Sequence, residues 1–412
     1  MKYSSIQTRR RFLQSSVGGA AAIGIGATVP NCFVQAAGGD KSLDNRILVV
    51  VQMSGGNDGL NTVIPYSDEG YRAARPKLAI SKSEVLKCND DIGLHPALFG
   101  MAELYQDGKL AIVRGVGYDQ PNRSHFESMD IWHTCRRKDE PRPDGWLGRF
   151  LDTQQAVSGG DVPALHLGRE QQPFAIVSKR IRVPTIKDLS EFQLQGNDRK
   201  SLQALLNKDT STASGLSNDL LGFLQSSTTS ALAASQRVTE AAQSYRGEVH
   251  YPDSELGKKL RVVAQLIDAG LQTRVYYIQH DGFDTHAQQA PTHAILLREW
   301  SEAVTALIRD VDAQGHGPKV CVMTFSEFGR RVSENASEGT DHGAAGPMFL
   351  CGGGLKAGVF GDPPNLSDLQ DGDLKHQFDF RQVYASVLQS WLGSDPASIL
   401  GGNYAPLPLF AS

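Results

Sequence analysis

The sequence predicts an α/β fold: a doubly wound, mostly parallel sheet flanked by helices. Two observations carry that prediction. Apolar runs of strand length alternate with segments of helical period, the mark of strand–helix–strand units. Polar clusters follow the strand-like runs: Asp58 after the first, Ser124 and His125 after the second, then Asp284 with His286, Glu327, and Asp341 with His342. Open parallel sheets bind ligands at the carboxyl edge of their strands. Asp and His repeated at those ends therefore point to one cleft along that edge.

Composition narrows the class. The chain has 412 residues, 40% of them hydrophobic, and a formal charge of −4, enough for a large core. No basic stripe is present, which argues against a nucleic-acid partner. At the N-terminus, Thr8–Gln14 (TRRRFLQ) has the twin-arginine form, and the soft apolar run 17–29 ends at Pro30, too short for a membrane span. Val34-Gln35-Ala36 offers small residues for cleavage. Residues 1–36 are thus expected to be a signal peptide read by the twin-arginine translocase, and 37–412 a single α/β domain. The mature protein is expected in the periplasm or secreted, with no stable membrane span. Four cysteines remain beyond the signal, Cys88, Cys135, Cys321 and Cys351, and their spacing matches no zinc motif.

Taken in order, Arg46–Met53 reads as the first central strand and runs into Gly55-Gly56-Asn57-Asp58-Gly59, a tight turn that leaves Asp58 at the strand end. Phe99–Gln106 reads as a helix preceded by His95-Pro96. Leu110–Gly115 is a second strand, and a helix is expected from His125 to Trp132 with Asn122 or Ser124 at its cap. A helix start binds anions, Arg123 adds a cation, and Ser124 could be a nucleophile as well as a cap. Val162–Leu167 and Phe174–Val177 read as strands, and 196–250, rich in Ser, Gln, Thr and Ala, as a helical insertion or cap. Leu256–Gly270 is helical and Arg274–Gln279 is a strand ending in His280-Asp281-Gly282-Phe283-Asp284-Thr285-His286. Carboxylates and imidazoles crowded at a strand end can hold a divalent ion. A helix over 294–313 precedes the apolar run Val320–Phe325. Past that run, Glu327, Arg330, Asp341 and His342 lie on a polar loop before the short run Met348–Cys351. Phe380–Leu392 reads as a closing helix, with His376 just before it.

These motifs carry a resemblance. Gly55–Gly59, Gly93-Leu94-His95-Pro96, Asn122–Phe126, Phe283–His286, Ser326–Arg330 and Asp341-His342-Gly343 together resemble an exported, twin-arginine-signal family of unknown function. That family is placed in the alkaline phosphatase/sulfatase superfamily, and the motifs span nearly the whole mature chain. The resemblance implies a sheet of that type with a helical insertion. It implies that Asp58, Asp284, His286, Asp341 and His342 match metal-ligand positions, and that Ser124, with Arg123 or His125 beside it, matches the nucleophile. Glu327 joins the ligand candidates from its place at the strand end. The implied cofactor is a divalent ion: zinc, manganese, calcium or iron. Two departures stand out. The sulfatase signature is absent, and the last phosphatase histidine has only His376 or His95 as counterparts.

The implied activity is metal-dependent hydrolysis of a phosphate or sulfate ester, on a small-molecule or polysaccharide substrate. The alternative is an exported, non-catalytic protein that binds a ligand or polysaccharide in the same cleft. A Ser-His-Asp peptidase is disfavoured, because no Gly-x-Ser-x-Gly elbow surrounds a suitable serine.

Overall fold

The structure is a computed structural model, and it describes residues 45–154, 161–186 and 244–411. The expected signal peptide, and the expected insertion up to residue 243, lie outside the described residues. No helix among the described residues is long and apolar enough to cross a membrane.

One mixed sheet organises the chain. Its strands are β1 (Ile47–Ser54), β2 (Leu110–Gly117), β3 (Ala164–Leu167), β4 (Thr185–Ile186), β5 (Val275–Asp281), β6 (Val320–Ser326), β7 (Gly346–Gly352), β8 (Gly358–Phe360) and β9 (Phe378–Asp379). They lie in the order β8-β2-β7-β6-β1-β5-β3-β4, with β9 also pairing with β2. The pairs β1–β5, β1–β6, β3–β5, β3–β4, β2–β8 and β2–β9 are parallel. Only β7 runs against its neighbours β6 and β2. β1 lies at the centre, and its apolar run follows from burial on both faces. Ile47, Val49, Val51 and Met53 face one core and Leu48 and Val50 the other.

Helices α1 (Phe99–Gln106), α4 (Glu255–Asp268) and α5 (Gln289–Ala313) cover the first face through Leu104, Leu260, Val263, Trp300, Val304 and Leu307. On the second face lie α2 (His125–Thr134), α3 (Trp146–Thr153) and α6 (Phe380–Ser386), with Trp132, Trp146, Phe150, Phe380 and Tyr384. The result is the layered α/β arrangement the sequence predicts.

Three expectations need correction. Phe174–Ile176 is a 3₁₀ turn, not a strand. Ala175 and Ile176 are buried because Gly145 and Gly148 bring the start of α3 directly onto this backbone. The closing helix is α-helical only through Ser386 and continues as a π turn over Val387–Trp391. α5 starts at Gln289 rather than at 294. Its first N–H groups are met by loop carbonyls, Gln288 N–H to Ser337 and Gln289 N–H to Glu338. No Ser or Asp cap announces the start.

Buried imidazoles make this core acid-sensitive. His133 lies in a closed network, its Nε2 2.9 Å from Gln52 Oε1 and 3.1 Å from the Tyr277 hydroxyl. Burial drives the pKa of His133 and of His293 down from 6.5 to about 3, and that of His95 to about 4. The unfolded chain therefore binds more protons once pH drops below 6.5. Stability is full above that value and is lost as pH falls toward the folded-state values. The urea midpoint is expected to fall steadily from pH 6.5 to pH 4, and His133→Gln to flatten that slope. A midpoint that stays constant across this range would refute the assignment.

Candidate metal centre

The in-register parallel strands bring three loops together. Met53 pairs with Ser326 and Ser54 with Asp281, so β1, β5 and β6 end at one level. Gly55, Asp284 and Glu327 follow at once. The Glu327 Oε1 atom accepts the Gly55 N–H at 2.9 Å. Gly55 has a φ of +114°, and a Cβ there would stand 2.4 Å from the Asp284 nitrogen. Only glycine permits so close an approach in that conformation. α2 is docked to the same point: the Ser128 hydroxyl donates to the Glu327 carbonyl at 2.6 Å, which sets His125, the first helical residue, beside Glu327. The Phe328 ring then packs on both His125 and His342, with centroids 4.9 and 4.8 Å apart.

Three imidazoles converge on the Asp284 carboxylate. His286 Nε2 and His342 Nε2 each lie 3.1 Å from Asp284 Oδ1 and 2.9 Å from one another. His125 Nε2 lies 3.4 Å from Asp284 Oδ2 and is buried without a hydrogen-bond partner. The far side of each ring explains this orientation. His342 Nδ1 is 2.8 Å from the Arg123 carbonyl, which can only accept, so Nδ1 carries the proton. His125 Nδ1 donates to Glu327 at 2.9 Å and His286 Nδ1 to Asp341 at 3.1 Å. In the neutral rings all three Nε2 atoms are then lone pairs.

Lone pairs facing one another and a carboxylate repel unless a cation stands between them. One proton relieves a single contact, whereas a divalent ion relieves them all. Nitrogen and oxygen ligands about 2.1 Å from an ion and at right angles stand about 3.0 Å apart, close to the spacing seen here. Imidazoles anchored through Nδ1 to an oxygen acceptor are the usual support of such ligands. His125, Asp284 and His342 form the one group of this type found among the described residues, and His286 adjoins it.

Charge agrees with geometry. Burial alone would raise the Asp284 carboxyl, but the Arg330 and His342 bonds outweigh it and hold it at about 2. The bond to Glu327 raises the His125 pKa above its ordinary value. The carboxylates of Asp284, Glu327 and Asp341 surround the imidazoles, with Arg330 paired to Asp284, and a divalent ion would offset their charge. Side-chain exposure of 47% at Asp284 and 43% at His286 leaves this side of the cluster open to solvent.

A family model described as "Protein of unknown function (DUF1501)" matches residues 45–402. The chain belongs to the DUF1501 family. No curated protein matches it. Among solved structures it is similar to the PsFucS1 sulfatase from Pseudoalteromonas sp., with 10% identity, 92% of this chain and 75% of that one covered, and a TM-score of 0.40. It is also similar to the zinc complex of the C-terminal periplasmic domain of EcEptC from Escherichia coli, with 9% identity, 75% and 73% covered and a TM-score of 0.34. A third is the alkaline phosphatase of the Antarctic bacterium TAB5, with 8% identity, 77% and 95% covered and a TM-score of 0.34.

In this DUF1501 chain the residues expected at the site fall into three groups. Asp284, His286 and His342 sit in the cluster, joined by His125, which the sequence places with the nucleophile. Glu327 and Asp341 stand behind the imidazoles and receive their Nδ1 protons. Asp58 lies elsewhere. It is fully buried, paired with Arg75 at 2.6 Å and bonded by Gln289, and it caps the short helix Gly59–Thr62. Burial would raise its pKa, but the Arg75 charge and bond bring it below the ordinary value. Arg123 serves the cluster through its carbonyl, while its guanidinium is ion-paired with Asp373. Ser124 is exposed and forms the N-cap of α2, with no bond from its hydroxyl to the helix. His95 accepts the Ala97 N–H and lies edge-on to His293, and His376 is exposed on a neighbouring pocket. Sequence reasoning missed the weight of Arg330: its charge looked like a loop-edge residue, and only the fold buries it among carbonyls.

Gly55→Ala is expected to push the Asp284 backbone away from its present position. Differential scanning fluorimetry should show a lower Tm and a weaker stabilisation by added zinc or manganese than in the native chain. An unchanged Tm and an unchanged ion-induced shift would contradict this role for the close approach.

Proposed function

We propose that this DUF1501 protein is a metal-dependent hydrolase of phosphate or sulfate esters, exported through the twin-arginine translocase to the periplasm or beyond. The observation that carries the reading is the turning of three imidazole lone pairs onto one ionised carboxylate. His125, His286, His342 and Asp284 would hold the ion. A divalent ion bound there supplies Lewis-acid polarisation of a phosphoryl or sulfuryl oxygen.

The chain's own residues would do the rest. Glu327, Asp341 and the Arg123 carbonyl keep the three Nδ1 protons in place, so each Nε2 stays aimed at the site. Arg330 keeps Asp284 ionised. The N-terminus of α2, beginning at His125, offers positive potential to an ester anion beside the cluster. The Ser124 hydroxyl, free of a capping bond, is the side-chain nucleophile of this reading. The motifs of the N-terminal sequence support export, and an esterified small molecule or polysaccharide fits a site open on one side.

The test is turnover of aryl phosphate and aryl sulfate by the purified chain with added zinc, manganese, calcium or iron(II). Native protein is expected to hydrolyse one class and to lose activity with a chelator. Asp284→Asn is expected to lower kcat/KM by about a hundredfold or more, since several kcal/mol of charge stabilisation would go. Ser124→Ala that keeps its metal but loses turnover would assign attack to the serine, and retained turnover would assign it to water. No turnover of either ester with a metal-loaded protein would favour a non-catalytic binding role.

Loss of the anchors should show in affinity before it shows in folding. Glu327→Gln and Asp341→Asn are each expected to weaken metal binding by about 10- to 100-fold, measured by competition with a chromogenic chelator. Unchanged affinity in both variants would remove these carboxylates from the site.

A further inference from the structure

A second pocket, of about 410 Å³, opens near the same edge of the sheet and is lined by Arg114 of β2. That is within the size range of small-molecule sites. One wall is apolar, with Leu60, Val63, Ile92, Pro347 and Pro364. The guanidinium is its unusual feature. Arg114 Nη2 donates to the Gly361 carbonyl, while Nε and Nη1 are buried with no hydrogen-bond partner. Arg114 as a whole is half-buried, and guanidinium N–H groups that are buried normally have acceptors, most often a carboxylate. No carboxylate among the described residues forms an ion pair with it.

The other charges around the pocket do not fill this role. Lys375 is paired with Asp368. Asp362 is exposed, acts on Arg114 only through its field, and has its backbone held by the Gln377 amide. His376 is exposed and adds an imidazole at the wall. An adjoining pocket of about 480 Å³ shares Ala345, Leu374, Lys375 and His376 with the first and reaches Arg123. Arg123 is the residue whose carbonyl orients His342.

We propose that the Arg114 pocket binds an organic acid: a carboxylate taken by Arg114, with an apolar body lying against the Leu60–Pro347–Pro364 wall. A ligand seated there would lie one pocket away from the imidazole cluster. The site requires no metal, so its success or failure is separate from that of the hydrolase reading.

The experiment is isothermal titration calorimetry of the full chain, stripped of metal with a chelator, against benzoate and against its neutral isostere benzamide. Benzoate is expected to bind at least about tenfold more tightly. Arg114→Gln should abolish that preference, Pro364→Trp should block binding by filling the pocket, and His125→Ala should leave binding unchanged. Circular dichroism would confirm that each variant is folded. If Arg114→Gln fails to fold, the Pro364→Trp result and the native benzoate–benzamide comparison decide. Equal binding of the two probes, no binding of benzoate at millimolar concentration, or a preference that survives Pro364→Trp would overturn the proposal.

Discussion

The buried guanidinium of Arg330 is the constraint on which the site depends. Its Nε donates to the Gly56 carbonyl and its Nη1 to the Thr340 carbonyl, both at 2.7 Å. Its Nη2 reaches the Gly55 and Phe283 carbonyls and, at 2.6 Å, Asp284 Oδ1. One planar group thus joins the loop after β1, the loop after β5 and the segment that carries Asp341 and His342. Lysine, a point charge on a flexible stem, would not span these directions. Burying such a charge is costly unless it is paired and fully hydrogen-bonded. The loops meet that condition only when closed around it, so Arg330 selects the arrangement in which Asp284 faces the imidazoles.

A second level of support lies behind the rings. Glu327 reaches both the Gly55 N–H and His125, so a single carboxylate fixes a backbone turn and an imidazole tautomer. Asp341 is steadied by the Asn335 amide at 3.2 Å before it meets His286. The Phe328 ring limits the tilt of His125 and His342. Rigid second contacts of this kind hold ligand atoms in place before any ion arrives, which lowers the ordering cost of binding. The same logic explains the separation of Asp58. With Arg75 and Gln289 on its carboxylate, it shapes the turn after β1, and leaving Arg75 unpaired would cost about 3–5 kcal/mol.

Much of this was legible in the sequence. The apolar runs of β1 and β6 and the helix Phe99–Gln106 follow from period and burial, because a strand buried on both faces must be apolar throughout. The clusters after the strands put Asp284, His286, Asp341 and His342 forward as candidates, since a parallel sheet sends every strand end to one edge. The antiparallel course of β7 was not legible, because a short apolar run carries no direction. Asp58 was misleading: its position after β1 matches a ligand, and its Arg75 partner, 17 residues away, is revealed only by folding. His125 was read beside the nucleophile because the resemblance matches Ser124 to that role, and nothing local shows that Glu327, 202 residues on, turns the ring toward Asp284.

Whether the imidazole cluster holds an ion is tested most directly by metal content, by mass spectrometry on the folded chain after gentle purification and add-back, for the native protein, His125→Ala and Asp58→Asn. Close to one divalent ion is expected in the native chain and in Asp58→Asn, and little in His125→Ala. Native protein without metal, or metal kept by His125→Ala and lost by Asp58→Asn, would contradict it.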